Sequence, residues 1–225
     1  SGGISRRLIA FASALVGFLK GGLAMVNIAT SMFFAEMSGS AVADVAALGS
    51  ILIPAMKQKG YPGPFAAAIT SSSATIAVII PPSIPMILYA VMSDSSVVKL
   101  FVAGIVPGVL AGILMMAFSY WFALRNNYPV EEVFRWEKLW KTFKEAAWAF
   151  SLPVIILGGI FGGFFTATEG AGLAVVVAIL LGGLVYRELT WRRLREAVIE
   201  GGISTAVVML LVAASALVGT YLTEL

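Results

Sequence analysis

Residues 61–93 read YPGPFAAAITSSSATIAVIIPPSIPMILYAVMS and contain no Asp, Glu, Lys or Arg. An uncharged, apolar run longer than about 18 residues indicates a membrane-spanning segment. It does not form one straight helix. As far as Met92 the run would be about 48 Å long, against a hydrocarbon core about 30 Å thick. Pro81, Pro82 and Pro85 interrupt its second half, and each lacks an amide N–H and clashes with the preceding turn. Upstream, Thr70, Ser71, Ser72, Ser73 and Thr75 place five hydroxyls in six positions. The reading is a discontinuous helix, with halves over residues 64–75 and 83–92 and an unwound middle.

The composition agrees. Of 225 residues, 60% are hydrophobic and 12% charged, where soluble domains carry about 25% charged residues. Mean hydropathy is +0.96. Upstream, residues 4–19 are apolar with Arg6 and Arg7 near their start, an arm suited to the membrane interface. Residues 23–37 and 41–56 flank Ser38-Gly39-Ser40, with Lys20, Lys57 and Lys59 at the outer ends. Each limb is about 23 Å long, too short to cross comfortably. The pair reads as a re-entrant hairpin.

Downstream, residues 97–124 form a span, followed by a basic connector over 125–144 with Trp136 and Trp140 at interfacial spacing. Residues 146–165 form a third span. Thr166 with Glu169 three positions later is a capping-box pattern that opens a fourth span over 167–186. A connector over 187–200 leads to a last span over 201–221. The predicted organisation is an arm (1–20), a hairpin entering from the cytoplasm (21–59), a discontinuous helix (60–95), a span (96–125), an interfacial connector (126–145) and three further spans (146–225). The fold class is an all-α integral membrane protein.

Threading these spans alternately sorts the charges. Fourteen of the fifteen basic residues fall on one face, including Lys20, Lys57, Lys59, Arg125, Arg135, Arg187 and Arg192. Lys99 alone falls on the other. The basic face is predicted to be cytoplasmic. The net charge of +3 therefore records orientation and implies no nucleic-acid partner; the lipid bilayer is the partner. The chain begins without Met and stops just after an apolar run, so a piece of a longer protein is expected.

Backbone left unpaired in lipid is costly, so a broken helix or hairpin tip at membrane depth must face protein or water. Transporters hold ions and anionic substrates at such places. Asp44, one turn after the tip, reads as support for it through the helix dipole and nearby amides, favoured over direct ion ligation. Glu36 is either a solvated tip charge or a ligand, and Glu169 is a cap. The glycine pairs Gly158-Gly159, Gly162-Gly163 and Gly182-Gly183 are expected to permit close helix approach. With no histidine and no cysteine, a serine nucleophile lacks a base and no thiolate chemistry is open. Asp44 and Asp94 fall at different depths, so they do not form a facing pair. An enzyme is not expected, and no cofactor is called for.

The run GGLAMVNIATSMFFAEMSGSAVADVAALGSILIPAMKQKGY, with PFAAAITSSSATIAVIIPPSIPMILYA after it, closely resembles the large membrane subunit of the TRAP (tripartite ATP-independent periplasmic) transporters. GGIFGGFFTATEGAGLAVV and VYRELTWRRLREA resemble the start of that family's second repeat. The resemblance implies an elevator-type transporter with inverted repeats, built on a re-entrant hairpin and a discontinuous helix. It implies Na+-coupled uptake of organic acid anions such as C4-dicarboxylates or sialic acid across a bacterial or archaeal inner membrane. Implied partners are a small membrane subunit and a periplasmic substrate-binding protein. By position, Ser38 and Gly39 with carbonyls around Ala77, Ile80 and Pro82 would hold sodium, and Ser40, Ser73 and Thr75 would face the substrate. Where the family commonly has Gly-Pro, this chain has Ala77-Val78. A binding-protein-independent carrier and a non-transporting scaffold are the alternative readings.

Overall fold

The computed structural model describes residues 2–186 and 189–224; Arg187, counted above with the basic face, lies outside them. The described residues form α-helices with short tighter or wider turns and no strand. Five helical stretches are long and apolar enough to cross a membrane: Ala41–Gln58, Val97–Arg125, Trp136–Phe161, Ala167–Val185 and Trp191–Tyr221. Residues Ser1–Ala178 form one compact unit and Ile179–Leu225 a second.

In the first unit, α1 (Gly2–Val16) packs against α2 (Gly22–Ser38) and α7 (Trp136–Phe161). Leu8 and Ala12 are fully buried, so this arm is sandwiched between helices along its length. Phe11 meets Phe33 of α2 and Phe150 of α7, with ring centroids 5.5 and 5.7 Å away.

The hairpin is α2 followed by α3 (Ala41–Gln58). Its limbs have 17 and 18 residues, slightly longer than the sequence suggests, because the helical turns run on through Ser38 and Gln58. Two residues make the sharp reversal. Gly39 takes φ +58° and donates its N–H to the Ala35 carbonyl, a left-handed helix stop that side chains disfavour. Ser40 is extended, and its hydroxyl accepts from Ala43 N at 3.4 Å, capping α3. Val26 and Ala29 of α2 then pack on Leu48 and Leu52 of α3.

Pro62 and Pro64 set the start of α4 (Gly63–Ala74), where a missing N–H costs nothing. The chain then tightens into a 3-10 turn, Thr75–Val78, and passes through Pro81 and Pro82 before α5 (Ile84–Met92) resumes. Because the prolines cannot donate, carbonyls of the preceding turn lose their partners. Ser83 recovers one, its hydroxyl donating to the Val78 carbonyl at 2.7 Å.

Helix α6 (Val97–Arg125) passes behind this break. A Cβ built on Gly108 would meet Ile80 Cγ1 at 2.5 Å, and the same construction on Gly112 runs into Met32. The approach that glycine permits therefore lies on α6. Of the pairs singled out above, Gly158, Gly163 and Gly183 face open space, whereas Gly159 and Gly162 abut Phe165 and Phe164.

The connector expected over 126–145 and the span after it are joined from Trp136 onward: α7 is one 26-residue helix with Pro153 inside it. α8 (Ala167–Leu180) opens on the reciprocal cap, with Thr166 N donating to Glu169 Oε2 at 2.8 Å and Glu169 N donating to Thr166 Oγ1 at 3.3 Å. In the second unit, a wide π-helical turn over Leu181–Val185 precedes α9 (Trp191–Glu224). Its basic start and apolar remainder make one 34-residue helix. Leu210 and Leu217 of α9 are exposed, as suits a lipid-facing surface.

Candidate functional site

The hairpin tip and the helix break lie against each other. Ile84 N donates to the Gly39 carbonyl at 3.2 Å. A Cβ on Gly39 would meet the Pro82 carbonyl oxygen at 2.7 Å, so only a bare backbone fits here. Ser38, Gly39, Pro82, Ser83 and Ile84 line a partly open cavity, to which Ile160 and Ala171 also contribute. Hydroxyl and carbonyl oxygens at a helix end, in an otherwise apolar setting, are the donors that hold alkali cations at transporter midplanes. A sodium ion thus fits the chemistry of Ser38, Gly39 and Pro82.

The tip is held from behind. The Ser38 hydroxyl donates to Asp44 Oδ1 and accepts from Ser40 N at 3.3 Å. Asp44 is fully buried in the first turn of α3. Glu36 is half-buried on α2 before the tip.

Among the other sequence candidates, Ala77 and Ile80, expected to offer backbone carbonyls, place their side chains in an apolar cluster with Ala35 and Ile76. Ser73 is fully buried and shares a 2.9 Å hydrogen bond with Ser31. Thr75 donates to the Ser72 carbonyl at 2.6 Å and lines a second cavity with Phe65, Phe118 and Ser119. Ser40 thus caps the tip, Ser73 lies in a helix interface and Thr75 lines a cavity with residues of α6.

That interface includes residues sequence reasoning passed over. The Asn27 amide donates to Thr70 Oγ1 at 2.7 Å, one turn from the Ser31–Ser73 pair. Together they form a buried polar seam between α2 and α4. The signal was present: Asn27, Thr30 and Ser31 fall at i, i+3 and i+4 of an otherwise apolar helix.

The whole chain, residues 1–225, matches the family described as "Tripartite ATP-independent periplasmic transporter, DctM component". The chain belongs to this family. It is 43% identical over 99% of its length to the isethionate TRAP transporter permease protein DctMQ of Oleidesulfovibrio alaskensis, covering 35% of that protein. It is 42% identical over 96% of its length to the 2,3-diketo-L-gulonate TRAP transporter large permease protein YiaN of Escherichia coli, covering 51% of it. A sialic acid TRAP transporter permease protein, SiaT of Haemophilus influenzae, is 42% identical over 94% of the chain, which covers 34% of that relative. This DctM chain thus spans about a third to a half of the length of the relatives it matches. These relatives are transporter permease subunits and not enzymes, in line with the lack of catalytic equipment. The family and the five apolar helices make the chain part of a multi-pass membrane protein.

Proposed function

We propose that this chain forms the ion-binding hairpin and broken helix of a Na+-coupled, binding-protein-dependent permease that imports organic acid anions by an elevator mechanism. The observation that carries this reading is the junction of tip and break, where Ile84 N meets the Gly39 carbonyl at 3.2 Å. Sodium held there by Ser38, Gly39 and Pro82 would fasten the hairpin to the broken helix, so that the two move as one body beside the cavity they line. Such discontinuous elements hold coupling ions and carboxylates in secondary transporters. The partners in this reading are a small membrane subunit and a periplasmic substrate-binding protein, and the basic loops face the cytoplasm. The relatives named above are permeases for isethionate, sialic acid and 2,3-diketo-L-gulonate, which supports an organic anion as the solute class.

The test is solute uptake into proteoliposomes containing the intact transporter, with and without an inward sodium gradient and with and without its binding protein. Uptake that needs both is expected. Uptake that ignores sodium contradicts the coupling, and uptake without the binding protein favours a simpler carrier.

A further inference from the structure

Asp44 places a carboxyl group with one unpartnered oxygen inside the protein. It is 0% exposed, and only its Oδ1 has a partner, the Ser38 hydroxyl. Its Oδ2 is buried with no hydrogen-bond partner. Among the described residues no lysine or arginine forms an ion pair with it: the pairs found join Lys59 to Glu131, Lys138 to Glu132 and Arg192 to Glu196. Buried carboxylates are paired or lie beside a cation, because leaving the charge uncompensated is expensive. The N-terminus of α3 supplies part of the compensation, equivalent to about half a positive charge. Among the described residues no cationic side chain supplies the remainder.

We propose that Asp44 is the counter-charge for the coupling cation, acting through Ser38 as a positioning residue. The inference rests on the sodium-coupled reading above and adds to it the source of the site's negative charge. Ser38 has one hydroxyl proton. Asp44, an acceptor only when ionised, takes that proton and so turns the lone pairs of the Ser38 oxygen away from itself. Ser38 lines the cavity beside Gly39 and Pro82, whereas Asp44 is not part of that wall. The carboxylate therefore fixes which way the hydroxyl points and adds its field, and the cation at the junction receives both. Partners that orient a ligand from behind typically change metal affinity by about 10–100-fold when removed.

Two replacements in the intact transporter separate charge from support. Asp44→Asn keeps an oxygen able to accept from Ser38 and removes only the charge; Asp44→Ala removes both. The sodium concentration for half-maximal uptake is read alongside the solute concentration for half-maximal uptake at saturating sodium. Asp44→Asn is expected to raise the sodium value by about 10-fold or more, with the solute value within about twofold of the parent. Asp44→Glu is expected to recover part of the sodium affinity. If Asp44→Asn leaves the sodium value unchanged, Asp44 serves only as a tip support and the proposal fails. If the unsubstituted transporter shows no sodium dependence, the coupled reading itself fails and takes this assignment with it. Sodium-induced protection against thermal unfolding of the purified transporter provides a readout independent of transport. That protection should weaken in Asp44→Asn, and equal protection in parent and variant overturns the proposal.

Discussion

Gly39 and Ile84 are 45 positions apart in the chain, and the carbonyl of one accepts the backbone N–H of the other at 3.2 Å. This bond ties a hairpin tip to the resumption of a broken helix. It replaces a hydrogen bond that the break would otherwise leave open. Gly39 also has to be there: its φ of +58° is left-handed, and any Cβ would press on the Pro82 carbonyl.

Gly39→Val should therefore separate tip from break. A non-glycine residue in this conformation costs about 1–2 kcal/mol before any clash is counted. We expect the variant to insert and assemble but to lose sodium-dependent uptake. Uptake at the parental rate in proteoliposomes would show that the junction does not require the bare backbone.

The seam between α2 and α4 predicts a coupling. Thr70→Val leaves the buried Asn27 amide without its 2.7 Å partner, an unpaired polar group worth about 1–3 kcal/mol. Asn27→Leu with Thr70→Val removes both halves and should recover part of the loss. Thermal unfolding of the four species in a double-mutant cycle checks this, and strictly additive shifts would show that the pair is not coupled.

Gly108 on α6 lets Ile80 approach the helix axis. Gly108→Leu must displace the break, and overpacking of this kind typically costs about 1–3 kcal/mol. A lower melting temperature is expected, with partial rescue by Ile80→Ala. No rescue would mean that the strain is relieved elsewhere.

Glu169 closes the cap of α8 with Thr166. A capping box works with Gln as well as Glu, so Glu169→Gln should retain amide protection over residues 167–170 while Glu169→Ala loses it. Neither should change the solute concentration for half-maximal uptake. A change in that value with Glu169→Gln would assign the carboxylate to the solute.

Local chemistry explains how much of this was legible beforehand. The break over residues 75–83 is visible because proline has no N–H, and the hairpin tip because Ser38-Gly39-Ser40 is a small, polar turn between two apolar limbs too short to span. The cap at Glu169 follows from three-residue spacing alone. What the sequence could not show is which distant surfaces meet. The five hydroxyls look equivalent in one dimension, yet helix rotation sends Ser73 into the seam with Ser31 and Thr75 toward α6. Likewise, the doubled glycines draw the eye, but the glycines lying under the break are single ones four apart on α6, at Gly104 and Gly108. The continuity of α7 from Trp136 to Phe161 was hidden because its amphipathic start and apolar remainder have different compositions but the same helical period.

The most direct test of the central claim is the sodium dependence of solute uptake by the intact transporter carrying bulky replacements at both Ser38 and Ser40. The account predicts normal membrane insertion and binding-protein engagement with sodium-driven uptake abolished. Uptake and sodium dependence equal to the parent's would contradict a sodium site at the junction of tip and break.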